Sequence, residues 1–414
     1  MDLKKYKRHL NFINQYKKAI NASTGSEVDS NANVENKNVT TLYGEIFKRD
    51  AIGLNRLIMT EHITEMFGKE LADEYIRQLD SHEIYRHDET SPVYPYCVSI
   101  TMYPFLFNGL RTIGGISDAP KNLQSFCGSF VNLVFAIASQ FAGAVSTPEF
   151  LSYLDYFLRK EYGDDYYLNT DKIVELKKDG GRTLDKLIEG YFQQVVYSIN
   201  QPAAARNFQS VFWNIAYFDE PYFNGMFEDF VFPDGTTMKW DSVNWLQKKF
   251  MYWFNEERRK KVLTFPVETL NLLDDGKEYV DKDWADYAAY MYSRGHSFFV
   301  YRSNSVDSLA SCCRLKNEMQ DNTFSYTLGA GGVSTGSKGV ITININRLVQ
   351  NVFKDNPNAT YEDISNAVRE QVKKVHKYLL AYNKYLHELY DAKLLTVYNA
   401  GYISLEKQYL TIGM

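Results

Sequence analysis

Apolar residues recur along the chain at helical spacing in some segments and at strand spacing in others. Two helical patterns run from Tyr43 to Leu79 and join near Gly68. The segment 95–103 alternates apolar residues with small polar ones, which predicts a strand. A largely apolar segment, 120–140, follows Asp118 and Pro120 and predicts a buried helix. The first half is therefore predicted to contain both helices and at least one strand.

The second half begins its regular pattern with "HSFFVYR", 296–302, which predicts a strand leading into a loop. A glycine-rich stretch, 328–339, is predicted to be a second loop, and "VITININ", 340–346, alternates like a strand. Thr360 and Asp363 form a capping-box signature at the start of a long helix. One apolar stripe of that helix comprises Ile364, Val368, Val372, Val375, Leu379, Tyr382, Leu386 and Leu389.

The two ends of the chain differ in character. Residues 1–40 are polar and rich in Asn and Ser, and we predict an N-terminal arm before a folded body at 41–414. The last residues, "LEKQYLTIGM", lie within an apolar pattern, whereas chain ends are usually polar and frayed. This pattern indicates either a chain that has been cut or a fold that a second polypeptide completes.

Composition narrows the classes of function. A hydrophobic fraction of 45% in 414 residues is sufficient for a large interior, and the net charge of −5 argues against a nucleic-acid binder. The sequence has no apolar leader and no uncharged stretch of membrane-spanning length, so neither export nor membrane insertion is expected. Together with unpaired thiols, this predicts a cytoplasmic protein.

The chain has four cysteines, which are Cys97, Cys127, Cys312 and Cys313. Their number and spacing fit neither a disulfide framework nor a four-ligand metal site. Cys127 lies within the apolar segment 120–140 and is predicted to be a buried, inert thiol. Cys97 shares its strand face with Ser99 and Thr101 and should point away from the most apolar packing.

Three further features are candidates for chemistry. Cys313 precedes Arg314, and a neighbouring cation would favour a reactive thiolate, although ionic catalysis also needs a base that the sequence does not identify. His87–Asp88 is either an acid–base pair or a capping feature. The glycine-rich stretch 328–339 lacks the spacing of a phosphate loop and either contacts a ligand or only turns tightly.

These pieces, in this order, resemble the anaerobic (class III) ribonucleotide reductases. The similarity runs from "SNANVENKNV" through "IYRHDETSPVYPYCVSI", "SQFAGAV", "SCCRL" and "TGSKGVITININR" to "AGYISLEKQYLTIGM". It covers nearly all of the chain after residue 30. The pairing of "CCRL" with "TGSKGVITIN" some twenty residues later is the most specific part.

The resemblance implies an α/β fold, a ten-stranded α/β barrel built from two five-stranded parallel halves set antiparallel, here incomplete at its C-terminal end. A loop threads the barrel and carries the catalytic cysteine, which the family's Cys-Arg step matches to Cys313. Cys97 matches the strand cysteine that faces the same ribose. The residues that the resemblance suggests for substrate binding are His87, Asp88, Ser311, Ser337 and Asn344. Gln124 is suggested for an allosteric effector, in a helical region that also forms a dimer interface.

The implied chemistry explains two thiols on separate segments. A sulfur radical on Cys313 removes the 3′-hydrogen of the ribose, after which the protonated 2′-hydroxyl can leave, and Cys97 supplies hydrogen. The implied activity is anaerobic reduction of ribonucleoside triphosphates to deoxyribonucleotides, with nucleotide effectors. Formate-dependent members carry an Asn near the position of Ser337, so the resemblance leaves open formate or a thioredoxin-like protein as electron donor.

In the family the radical resides on a glycine near the C-terminus, beside a four-cysteine zinc site, and both motifs are missing from this sequence. We therefore expect a separate chain to supply the glycyl radical and the zinc site. A radical S-adenosylmethionine activase with an iron–sulfur cluster would generate that radical.

Two alternative functions stay open: a truncated, non-catalytic nucleotide-binding relative, and another glycyl radical enzyme of the pyruvate formate-lyase type. The retained Cys97 and Cys313 favour an enzyme, and "VITININR" favours the reductase.

Overall fold

A computed structural model of the chain describes residues 3–18, 38–111, 113–177, 180–202, 210–306, 308–311, 315–318 and 333–414. The helices are α1 Lys7–Tyr16, α2 Val39–Phe67, α3 Lys69–Asp80, α4 Tyr103–Asn108, α5 Leu123–Ala138, α6 Phe150–Tyr162, α7 Leu184–Ile199, α8 Glu220–Phe227, α9 Trp240–Lys260, α10 Lys282–Ser293, α11 Ile345–Asp355, α12 Tyr361–Asp391 and α13 Thr396–Asn399.

Short 3-10 turns occur at Leu3–Tyr6, Tyr166–Leu168 and Leu405–Lys407.

The strands are β1 Ile84–Arg86, β2 Cys97–Ser99, β3 Val145–Ser146, β4 Ile173–Lys177, β5 Gly180–Thr183, β6 Trp213–Phe218, β7 Val267–Leu273, β8 Phe299–Ser303, β9 Ser308–Ser311, β10 Leu315–Glu318, β11 Thr335–Ile343 and β12 Tyr409–Gly413. Eight of them form one sheet in the order β1-β11-β2-β3-β6-β7-β8, with β12 also paired to β11. The pairs β4–β5 and β9–β10 are separate antiparallel hairpins.

The main sheet has two sets of strands that run in opposite directions. Strands β2, β3, β6, β7 and β8 are parallel to one another. Strand β11 runs antiparallel to β2 and parallel to β12. This is one five-stranded parallel set joined to the first two strands of an oppositely directed set, as expected for the incomplete barrel.

One face of the parallel set is apolar and covered by helices. Val98, Val145, Trp213 and Leu270 lie in the main core, which also contains buried residues of α5, α6, α7 and α9. The Trp213 ring, for example, lies 5.7 Å from that of Phe130 in α5. A second core packs α2, α3 and α12 against β1 and β11. The helices therefore leave the opposite face of the sheet for other contacts.

Several predicted elements are confirmed. The two helical patterns of the first half are α2 and α3, which meet at Gly68 with a φ of 93°. The segment 120–140 contains α5. Thr360 and Asp363 form the capping box of α12, and the predicted stripe contributes the buried Val375, Leu379, Tyr382 and Leu386.

Two boundaries were predicted wrongly. The glycine-rich stretch was predicted to be a loop up to residue 339, but β11 already begins at Thr335. The alternation was predicted to continue to residue 346, but β11 ends at Ile343, because Asn344 caps α11 and accepts a hydrogen bond from the Arg347 N–H at 3.0 Å. Gly336 has a φ of 140°, and a Cβ there would lie 2.5 Å from the Cys97 carbonyl oxygen, so this strand position requires glycine.

Candidate active site

Small polar side chains line the face of the sheet opposite the helices, here called the polar face and defined by Cys97, Ser99, Ser146, Asn214, Thr269 and Asn271. Register places Ser99 beside Ser146, and Ser146 beside Asn214. Alternation along each strand puts the other members on the same face. All six residues are buried. A buried polar face on a sheet whose other face is apolar is a candidate site for a polar ligand.

The hydroxyls and amides of the polar face are bonded within the sheet. Ser146 donates to the Asn214 side-chain oxygen at 2.8 Å, and the Asn214 amide donates to the Val267 carbonyl at 2.9 Å. Ser99 donates to the Val333 carbonyl at 2.7 Å. These bonds hold the side chains in fixed positions, which favours a preorganised surface.

Cys97 lies at the edge of this face next to β11. It is 2% exposed, and its Sγ accepts a hydrogen bond from the Ala144 N–H at 3.2 Å. Its nearest apolar neighbours are Ala144, Tyr96 and Phe212 rather than the main core. The prediction that Cys97 points away from the most apolar packing is confirmed.

Strand β11 supplies the neighbours of Cys97. Ser337 pairs with Cys97 in register, and its hydroxyl lies 2.8 Å from the Thr411 hydroxyl of β12. The Gln408 amide donates to the Cys97 carbonyl at 2.9 Å, and the Tyr398 hydroxyl in turn donates to Gln408. The backbone around Cys97 is therefore held by β11 and by Gln408, the residue that precedes β12.

Thr335 is a residue that sequence reasoning missed. It pairs with Ser99, and its buried hydroxyl has no hydrogen-bond partner among the described residues. A buried hydroxyl without a partner is costly unless a ligand satisfies it. No signal in the sequence could have identified it, because the stretch around it was interpreted as a loop.

A buried carboxyl was also missed. Glu149 accepts a hydrogen bond from the Met102 N–H at 2.7 Å and lies 3.4 Å from the Thr101 hydroxyl. Burial raises the pKa of Glu149 to about 8, and the hydrogen bonds to Met102, Tyr153 and Thr101 only partly offset that effect. This carboxyl can hold a proton near neutral pH.

The hairpin β9–β10 lies against the sheet, in the segment for which the resemblance predicts the finger loop. β9 contacts β6 and β7, and β10 contacts β11. Ser311, suggested for substrate binding, is the last residue of β9 and pairs with Leu315. Cys312, Cys313 and Arg314 lie between these paired residues in the sequence and outside the described residues. The assignment of Cys313 as the radical thiol stays a prediction.

His87 and Asp88 follow β1 and lie beside β11. The His87 N–H donates to the Val340 carbonyl at 3.1 Å, and its Nε2 lies 2.9 Å from the Thr342 hydroxyl. Its ring contacts that of Tyr96, the neighbour of Cys97, at a centroid distance of 5.7 Å. Asp88 has a positive φ of 53°. The structure thus brings this pair to the same strand as Ser337.

The other suggested residues lie elsewhere. Asn344 caps α11, and its amide donates to the His82 carbonyl at 2.9 Å, so both ends of its side chain are engaged. Gln124 is exposed in the first turn of α5. Their suggested roles in substrate and effector binding stay predictions. Cys127 is fully buried in α5, and burial raises the pKa of its thiol, in agreement with an inert core residue.

Comparison with known proteins shows which protein family this chain belongs to. A family model described as anaerobic ribonucleoside-triphosphate reductase matches residues 47–414. The chain belongs to this family. No curated protein sequence matches it.

Solved anaerobic ribonucleotide reductases have the same fold. The Thermotoga maritima enzyme in complex with dATP and CTP is 30% identical with a TM-score of 0.75, and the match covers 91% of this chain and 59% of that one. The same enzyme with dATP bound in the specificity site is 29% identical, with a TM-score of 0.75 and coverages of 91% and 60%. Another anaerobic ribonucleotide reductase is 30% identical, with a TM-score of 0.77 and coverages of 98% and 60%. The predicted fold is confirmed, and this chain spans about 60% of the length of these relatives.

Among the described helices, none combines the length with the apolar character that a membrane-spanning segment requires. Within the described residues, no group of three or more His, Cys, Asp or Glu side chains is placed to hold a metal ion.

Proposed function

We propose that this chain carries the substrate-binding and thiol chemistry of an anaerobic ribonucleoside-triphosphate reductase. The observation that carries the proposal is the position of Cys97, buried on the polar face beside β11, with the β9–β10 hairpin against the same sheet. Family membership supports it. The Thr335 hydroxyl, which has no partner in the part of the chain that the structure describes, is proposed as a contact to a substrate hydroxyl.

In the proposed reaction a thiyl radical on Cys313 takes the 3′-hydrogen atom, which forms an S–H bond and leaves a carbon radical on the ribose. The 2′-hydroxyl takes up a proton and leaves as water. Cys97 supplies hydrogen to the ribose, and Cys313 finally returns the 3′-hydrogen. The overall change consumes two electrons and two protons from an external donor, either formate or a dithiol protein.

A separate glycyl-radical chain is proposed to generate the thiyl radical, after activation by a radical S-adenosylmethionine enzyme. Among the described residues, β12 pairs with β11 along one edge, and no strand is paired with its other edge. That edge is where we propose that a strand of the second chain adds. The zinc site of the family is proposed to lie in the same second chain.

The thiol assignments are tested in the reconstituted complex with its activase. Cys313→Ser should lose more than 99% of nucleotide reduction, a loss of at least about 2.7 kcal/mol in transition-state stabilisation, while Cys312→Ser retains most activity. Cys97→Ala should stop deoxynucleotide formation but permit slow substrate breakdown. Cys127→Ala is the matched control, because its thiol is buried in α5 away from the polar face. Normal product yield from Cys97→Ala would overturn the proposal.

We also propose that the chain dimerises through α5 and binds a nucleoside triphosphate effector near Gln124. One side of α5 is buried in the core, whereas Gln124 and Asn132 are exposed on the other. The Thermotoga maritima relative has dATP in its specificity site. A monomer whose melting temperature does not respond to any triphosphate would contradict this part of the proposal.

A further inference from the structure

Two cationic side chains line one small pocket between β11, α12 and the segment 87–96. Arg86 and Lys338 are 5% and 6% exposed. The same pocket is lined by His87, Asp88, Tyr96 and Tyr382, and it is partly open to solvent. Its interior has room for about one water molecule, so it suits one small polar group that enters from the open side.

Neither cation has a close carboxylate partner within the described part of the chain. Among the described residues, no ion pair within 4.0 Å involves Arg86 or Lys338, and none of these residues provides a hydrogen-bond partner for the Arg86 Nε. The Arg86 guanidinium lies 4.1 Å from the centre of the Tyr382 ring. Nearby Glu89 is already bonded to Arg56, at 3.0 and 3.2 Å. Glu406 acts on Lys338 only as a more distant charge.

An arginine stays charged at any accessible pH, and a buried charge is costly unless it is paired. The cation–π contact offsets part of that cost but provides no acceptor for the Arg86 Nε–H and no negative charge. We propose that the pocket binds a small oxyanion, a carboxylate or phosphate group, between Arg86 and Lys338. Asp88 in the wall disfavours a second negative charge close by and can accept a hydrogen bond from a hydroxyl. This binding does not depend on the radical reaction, because it uses only residues of this chain.

The test is a titration of the full-length chain with inorganic phosphate and, separately, acetate, at constant ionic strength set by sodium chloride. We expect a saturable rise in melting temperature with at least one of the two anions. Lys338→Met should weaken the apparent affinity by at least about tenfold, whereas Lys338→Arg should retain it. Lys407→Met is the matched control, because Lys407 is also a partly buried lysine with a pKa lowered by burial, but it does not line the pocket.

A CTP titration in competition with the effective anion distinguishes two sources. If CTP competes with the anion in the unaltered chain but not in Lys338→Met, the ligand is the phosphate end of a nucleotide. If CTP does not compete in the unaltered chain, the ligand is a free small anion. Both results support the oxyanion pocket. An equal response of Lys338→Met and the unaltered chain would overturn it, as would a response to phosphate and acetate no larger than the response to sodium chloride.

Discussion

Gly143→Ala tests whether the packing around Cys97 is as tight as the structure indicates. A Cβ at Gly143 would lie 2.5 Å from the Cys97 Sγ and 3.0 Å from the Tyr96 carbonyl oxygen. Ordinary contacts between such atoms are about 3.5–4.0 Å, so a displacement of about 1 Å is needed. The two segments cannot easily move apart, because the Gly143 N–H donates to the Tyr96 carbonyl at 2.7 Å and the Ala144 N–H donates to the Cys97 Sγ at 3.2 Å.

We expect Gly143→Ala to lower the free energy of unfolding by about 1–3 kcal/mol, the usual cost of overpacking. Cys97→Ala removes the clashing atom, so the double variant should be less destabilised than the sum of the single variants by at least about 1 kcal/mol. Urea unfolding of the four proteins, followed by tryptophan fluorescence, measures this coupling.

Gly128→Ala in α5 is the matched control. A Cβ at Gly128 has nothing within 4 Å, and alanine favours a helix, so this variant should be neutral or more stable by up to about 1 kcal/mol. Additive effects of Gly143→Ala and Cys97→Ala, within about 0.5 kcal/mol, would refute the reasoning.

Two further predictions concern buried carboxyls. Because burial raises the pKa of Glu149 from 4.5 to about 8, the folded state binds the proton more tightly, so this group should lower the free energy of unfolding as pH rises from about 5 to 8. Glu149→Gln should remove a few kcal/mol of that pH dependence in urea unfolding, and an unchanged slope would contradict the assignment. Arg159 forms an ion pair with the buried Asp155 at 2.8 Å. Arg159→Met leaves the Asp155 carboxylate buried without its cation and should lower the free energy of unfolding by about 3–5 kcal/mol. The Asp155→Asn/Arg159→Met double variant should recover much of that loss, and a single variant within about 1 kcal/mol of the unaltered chain would be the contrary result.

Local patterns predicted the helices well. Gly68 between α2 and α3 and the Thr360 capping box act within a few residues, so the sequence carries their signals directly. The face of Cys97 followed from strand alternation alone. These features need no knowledge of distant parts of the chain.

The start of β11 could not be predicted in the same way. Glycines usually mark turns. In β11, however, Gly336 is needed because the Cys97 carbonyl approaches its Cα closely, and Gly339 is needed because the Tyr382 ring lies against it. Arg86 and Lys338 were missed for a related reason, since they meet only through the pairing of β1 with β11. Contacts between segments about 250 residues apart leave no local pattern.

The pairing of β11 also sets the order in which the chain can fold during synthesis. One edge of β2 is completed by Thr335, Gly336 and Ser337, which follow Ser99 by more than 200 residues. At about 5–20 residues per second, a ribosome needs roughly 10–50 s to reach them. Throughout that interval the nascent sheet presents an open strand edge next to Cys97, which is a template for pairing with other chains. We therefore expect that the helices must pack early on their face of the sheet, and that chaperones must shield this edge until β11 has been synthesised.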